Sequence, residues 1–119
     1  MPLEPDERDR GYVLDMILSG EDALEFIEGL DEAAFRLSKL HQHAVVRAIE
    51  IVGEAAGRLS ADFVRNHPGL PWSAMRGMRH RLAHDYNNID LAVVWRVARH
   101  ELPEVLPTLR RICHQEPGV

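Results

Sequence analysis

Apolar residues recur at three- and four-residue steps along most of this chain. Val13, Met16, Ile17, Ala23, Leu24 and Ile27 form the first run. At about 100° per residue they gather on one side of a helix, so the pattern predicts a long amphipathic helix over residues 6–29, with Gly20 tolerated inside and Gly29 fitting its end. Leu40, Ala44, Val45, Ala48, Ile51, Val52, Ala55 and Leu59 mark a second long helix, whose polar face carries Arg47, Glu50 and Glu54. These two are expected to pair antiparallel. Ser60 suits the cap of a short turn from Asp62 to Arg65, and HPGLP at residues 67–71 breaks any helix because two prolines and a glycine favour turns.

Ser73 reads as an N-cap, and a third helix is predicted from Ala74 to around Asp85, with Met75, Met78 and Leu82 inward and the turn-forming pair Asn87 and Asn88 beyond. Asp90 can cap a fourth helix, with Ile89 and Val94 spaced as a hydrophobic staple. Leu91, Val94, Val97 and Ala98 continue inward until Pro103 interrupts the ladder, and Val105, Leu106, Leu109, Ile112 and Cys113 form a final piece. No segment shows sustained alternation and no repeat or low-complexity run appears. The expected fold is all-α, an antiparallel four-helix bundle with additional short helices, in one domain over residues 1–119.

Composition narrows this picture. A chain of 119 residues that is 45% hydrophobic can build one core and has little room for two. The start, MPLEPDERDR, lacks an apolar signal segment, and no window approaches the roughly 18 apolar residues of a membrane span. A cytoplasmic protein with no membrane partner is expected. Cys113 is the only cysteine, which excludes an internal disulfide and leaves no second sulfur for a zinc site. The net charge of −5 argues against indiscriminate nucleic-acid binding, yet residues 1–35 hold eleven acids against two arginines, so the remainder is basic overall. Arginine outnumbers lysine thirteen to one, a bias that a GC-rich genome produces as readily as phosphate recognition does.

The densest chemistry lies in RGMRHRLAHDYNNID, residues 76–90, where three arginines, two histidines and a tyrosine share fifteen positions. On the predicted third helix Arg76, His80 and His84 fall on one stripe, opposite Met75, Met78 and Leu82. Arg79 lies roughly 140° from His84, with only the small Ala83 between them, so the two side chains can converge. RNA brings its own nucleophile, the 2′-hydroxyl. Cleavage then needs a proton acceptor, a proton donor for the leaving oxygen, and positive charge on the phosphate. An arginine fork supplies the last and a histidine near neutral pH moves protons. One histidine cannot readily do both jobs in a single pass, which leaves His80, water, or a second subunit's His84 across a two-fold cleft; the two-fold cleft is favoured. By composition alone, an arginine and a histidine on an exposed helix face are more often solvated surface.

GMRHRLAHDY followed by NNIDLAVVWRVARHELPEVLPTLRRI, with VVRAIEIVGEAAGRLSADFVRNHPGLPW upstream, resembles the HepT-like branch of the HEPN superfamily over nearly the whole chain. HEPN ribonucleases carry an arginine, a polar residue, and a histidine four to six residues beyond the arginine, which maps onto Arg79, His80 and His84; asparagine is commoner than histidine at the second position in this branch. The resemblance implies a metal-independent endoribonuclease acting as the toxin of a toxin–antitoxin pair. It further implies a homodimer with both motifs on a shared cleft, and an MntA-like minimal nucleotidyltransferase antitoxin that transfers AMP onto the motif tyrosine, Tyr86. Catalytic roles then fall to Arg79 and His84, with Arg76 and His80 assisting at the phosphate.

Glu50 and Glu54 lie one turn apart, but a metal site needs a histidine or further acids at helical spacing and Arg47 precedes them, so Arg47, Glu50 and Glu54 read as residues of the dimer cleft or as groups orienting Arg79. No metal or other cofactor is expected. His41, His43, His67 and His100 read as structural or solvent-facing, and Trp72 and Trp95 as core residues rather than base-stacking platforms. A non-catalytic helical subunit that docks a nucleotidyltransferase is the alternative function, and a plain structural bundle a weaker third.

Overall fold

The computed structural model describes residues 5–85 and 88–115, without the side chains of residues 5, 6, 79, 83–85, 88 and 115. Helix α1 runs Pro5–Phe26, α2 Glu32–Arg36 and α3 Lys39–Arg58. They are followed by α4, Ala61–Asn66, and by two one-turn helices, α5 at Trp72–Arg76 and α6 at Met78–Leu82. A two-stranded ribbon of β1, Ala83–Asp85, and β2, Asn88–Ile89, leads into α7, Leu91–Arg96. A π-helical turn, Val97–Glu101, joins α7 to α8, Leu102–Gln115. The architecture is all-α, a helical bundle as expected, with the short ribbon as a local departure.

Helices α1 and α3 make the main packing contact. Their antiparallel sense is fixed at one end, where Asp9 near the start of α1 accepts hydrogen bonds from the Ser60 backbone N–H (2.9 Å) and hydroxyl (2.7 Å), just past the end of α3. Asp9 is buried, so a carboxylate without those donors would carry a desolvation cost. The Ser60 hydroxyl oxygen in turn accepts from Phe63 N–H and caps α4. Helix α8 packs on the other side of α1, with Arg110 on Glu21 at 2.8 Å at the rim. Between these helices Val13, Met16, Phe35, Val45, Ile49, Val52, Val94, Leu102, Leu106 and Leu109 are all but fully buried.

Several predicted boundaries shift for identifiable reasons. Helix α1 stops at Phe26, and Gly29 takes φ +80°, the left-handed conformation glycine adopts most easily after a helix. Helix α2 was not anticipated. Asp31 caps it, and the fully buried Phe35 anchors it against Trp95 with ring centroids 5.5 Å apart. Ser73 is not an N-cap: α5 begins at Trp72 behind Pro71, and Trp72 is pinned by its indole N–H donating to the His67 carbonyl at 2.7 Å. Both tryptophans are core residues.

Pro103 does not interrupt the ladder. The preceding turn widens to the i→i+5 pattern, Leu102 N–H reaching the Val97 carbonyl, and Pro103 falls in the first turn of α8. A proline in a helix interior removes one donor and crowds the carbonyl four residues back; the widened turn accommodates both and lets the helix continue. Among the described residues, no helix is long and apolar enough to cross a membrane.

Candidate functional site

The predicted third helix is not continuous. It breaks at Gly77 into α5 and α6, and it ends at Leu82 rather than Asp85. His84 is therefore on β1, and the single stripe of Arg76, His80 and His84 does not form. Ribbon pairing takes over where the helix stops: Ala83 faces Ile89, Asp85 faces Asn88, and Asp90 N–H donates to the Leu82 carbonyl at 2.7 Å. Asp90 also caps α7 by accepting from Val93 N–H, as expected from its position. The strand pairing thus closes a hairpin between α6 and α7, and the motif lies across the change from helix to strand.

The hairpin's base is rigidly seated. Met75, Met78 and Leu82 are buried as predicted, at 1%, 3% and 2% exposure, which turns the rest of α6 outward. At Gly53 on α3 an added Cβ would stand 3.2 Å from the Met75 carbonyl oxygen, so backbone meets backbone at the α5–α6 junction, and only glycine allows that approach without a shift. Arg76 strengthens the same contact. Its Nε and one terminal nitrogen reach the Ala56 and Leu59 carbonyls, at 3.2 and 3.5 Å, so its guanidinium satisfies the end of α3.

Arg81 is paired from twenty residues away. Its two terminal nitrogens each meet one Glu101 carboxylate oxygen at 2.9 Å, a parallel fork, and Arg96 Nε adds a contact at 3.3 Å. The hydrogen bonds from Arg81 hold the Glu101 carboxyl below its usual range against the opposing effect of burial, with Arg96 assisting, and the same fork raises Arg81. A carboxyl lowered on folding contributes its stability above the unfolded carboxylate range and loses it as pH falls through the folded value. The fork is thus fully present at neutral pH.

His80 is exposed on α6. The side chains of Arg79 and His84, and all of Tyr86, lie outside the described residues. Beside the ribbon a cleft of about 700 Å³ opens between α3 and the hairpin, lined by Lys39, Gln42, His43, Val46, Arg47, Glu50, Ile89 and Leu91. Arg47 and Glu50 were candidates for such a place. Glu54, the third, lies outside the lining but holds Arg47 at 3.4 Å, with Glu50 at 3.7 Å on the same guanidinium. Lys39, His43 and Arg47 are spaced four apart and so form one basic row along α3. His43 is exposed, as its solvent-facing reading expects, and its four-residue spacing to Lys39 and Arg47 places it in that row. Leu37 and Leu40, 88% and 76% exposed, flank Lys39. Among the described residues, no three or more histidine, cysteine or acidic side chains converge on a common point.

Comparison with known proteins bears on the whole bundle. The family described as ribonuclease HepT-like matches residues 16–112. A Thermococcus cleftensis protein named "Probable ribonuclease HepT" is 38% identical over 92 residues, covering 71% of this chain and 84% of that one. RNase MJ1380 of Methanocaldococcus jannaschii, a provisional name, is 33% identical over 96 residues, 81% of this chain and 88% of its own. The provisionally named RNase TTE0752 of Caldanaerobacter subterraneus subsp. tengcongensis is 29% identical over 107 residues, 90% and 96% of the two chains. No solved structure matches. With the match running from α1 through the hairpin to α8, this chain belongs to the ribonuclease HepT-like family.

Proposed function

We propose that this protein is a metal-independent endoribonuclease, the toxin of a toxin–antitoxin pair, and that it cuts RNA through Arg79 and His84. The observation that carries the reading is the family match, because it includes the entire segment from Arg79 to His84. The ribonuclease names of its relatives support the same activity. In the proposed reaction the RNA 2′-oxygen attacks the neighbouring phosphorus and the 5′-oxygen of the next nucleotide leaves. One proton departs the 2′-hydroxyl and another reaches the leaving oxygen, giving a 2′,3′-cyclic phosphate and a free 5′-hydroxyl. Arg79 holds the phosphate oxygens and stabilises their charge, and His84 moves a proton.

A homodimer supplies the missing second proton carrier, because each protomer brings its own His84 to a shared cleft. The exposed Leu37 and Leu40, next in sequence to the start of α3, support an association surface at that end of the molecule. His80 assists from the exposed side of α6. Arg76 is exposed and assists at the phosphate, while its Nε and one terminal nitrogen seat the motif on the Ala56 and Leu59 carbonyls.

Neutralisation follows from the same chemistry. In an MntA-like minimal nucleotidyltransferase, the Tyr86 phenol oxygen attacks the α-phosphorus of ATP and expels pyrophosphate, leaving AMP in a phosphodiester on the tyrosine. The added anion and bulk stand beside the phosphate site and repel RNA.

Unmodified protein is expected to cleave single-stranded RNA or tRNA in excess EDTA, leaving cyclic-phosphate ends that end-group analysis detects. RNA left intact by wild type and His84→Ala alike overturns the enzyme reading, and tight nucleotidyltransferase binding without RNA loss establishes the docking alternative instead. Incubation with the nucleotidyltransferase and ATP should add AMP to wild type and nothing to Tyr86→Phe, read by mass spectrometry. The same mass gain on both proteins refutes Tyr86 as acceptor.

A further inference from the structure

Helix α6 is one turn long, too short to hold its own geometry, so whatever fixes the orientation of the motif must come from outside it. Its apolar side is held by the burial of Met78 and Leu82. Its outer side has one strong polar attachment among the described residues, the fork between Arg81 and Glu101. Arg81 is two residues past Arg79 and three before His84, and both partners are about two-thirds covered, at 31% and 32% side-chain exposure. A planar guanidinium gripped by both carboxylate oxygens fixes direction as well as distance.

Glu101 reaches that position because of the π-helical turn. In an α-helix, charged pairs meet at three and four residues' separation; here Arg96 meets Glu101 at five, the repeat of the widened turn that ends at Glu101. Glu101 closes that turn facing Arg81 on α6, and Arg96 braces it from the end of α7.

We infer that Glu101 is a positioning residue for the ribonuclease motif, acting through Arg81 to hold α6 in the geometry that brings Arg79 and His84 to one phosphodiester. This rests on the ribonuclease reading. A shift of about 1 Å in a reacting group can cost a hundredfold in rate, so a fixed Arg81 matters more to turnover than to folding.

The experiment compares wild type, Glu101→Gln, Arg81→Ala and the double variant in steady-state RNA cleavage across pH, with thermal unfolding alongside. Glu101→Gln keeps the side-chain shape and one weaker hydrogen bond. It is expected to lower kcat roughly 10-fold with KM within about twofold and the melting transition nearly in place. Both limbs of the pH profile should stay where they are, because Glu101 carries no proton in the reaction. The double variant should lose no more than the worse single variant, as two members of one device do. Unchanged kcat in Glu101→Gln, additive losses in the double variant, or a missing pH limb each overturns the assignment. Wild type without cleavage fails the ribonuclease reading itself, a result distinct from an active wild type with an equally active Glu101→Gln.

Discussion

His84→Ala is expected to slow RNA cleavage by roughly 10²–10⁴-fold with little change in melting temperature. The range is that of a positioned group that transfers a proton in the transition state. Arg79→Ala should be of similar severity, since it removes the charge that stabilises the crowded phosphate, whereas Arg79→Lys keeps the charge and loses the fork, so it should recover only part of the rate. The site of action is separable from folding, because His84 follows Leu82, the last core anchor of α6, on a ribbon stitched by backbone hydrogen bonds that the substitution leaves intact. The decisive version uses mixed dimers. If acid and base come from two copies of His84, a dimer with one intact and one His84→Ala protomer should be nearly as impaired as the doubly substituted one. If it keeps about half the activity, each protomer works alone and the two-fold cleft is wrong.

The long elements of this bundle were legible because burial imposes a period. Val13, Met16 and Ile17 on α1, and Val45, Ala48, Val52, Ala55 and Leu59 at and beside α3, lie inward at the spacing a helix requires. Leu40, expected on the same face, is exposed, Ile51 is half-buried, and Ile49 takes the core position instead. Caps were legible where one side chain suffices, as at Ser60 and Asp90. Helix α2 was missed because five residues are too few to show a period, although Phe35 between acidic and basic residues was a hint. The helix-to-strand change at Leu82 has no local signal. RHRLAHDY contains neither proline nor glycine, and the pairing of Ala83 with Ile89 decides the matter from six residues away. The π-helical turn also has no signature beyond Pro103 itself.

The chemistry of the motif was readable and its wiring was not. Three arginines between residues 76 and 81 look alike in sequence, yet Arg76 binds carbonyls at the end of α3 and Arg81 binds Glu101 twenty residues on. Backbone carbonyls leave no trace in a residue pattern, and a partner on another helix has no fixed spacing. Asp9 and Ser60, fifty-one positions apart, illustrate the same limit. The row of Lys39, His43 and Arg47 was the opposite case, regular in sequence and meaningful only once Ile89 and Leu91 close the other side of the cleft.

Leu82→Ala carries the largest expected stability effect with a direct bearing on function. Leu82 is 2% exposed, so truncation removes buried methyl groups and leaves a cavity that a packed core refills only in part; the expected loss is about 2–5 kcal/mol in urea unfolding. Leu82→Met, which conserves volume, should cost less than about 1.5 kcal/mol. Its position makes the loss more than a matter of global stability. Leu82 ends α6, its carbonyl accepts the Asp90 N–H that closes the hairpin, and it sits three residues after Arg79 and two before His84. Loosening this anchor lets the two halves of the motif move relative to each other while α1, α3 and α8 remain packed. Ile112→Ala on α8, also a buried aliphatic but distant in sequence from the motif, is the matched control. Assayed at a temperature and urea concentration where each variant is folded, Leu82→Ala should lose at least about tenfold in kcat and Ile112→Ala should stay near wild type. Equal activities in the two folded variants would mean that the hairpin keeps its geometry without Leu82, and that the motif is held by the ribbon and the Arg81–Glu101 fork alone.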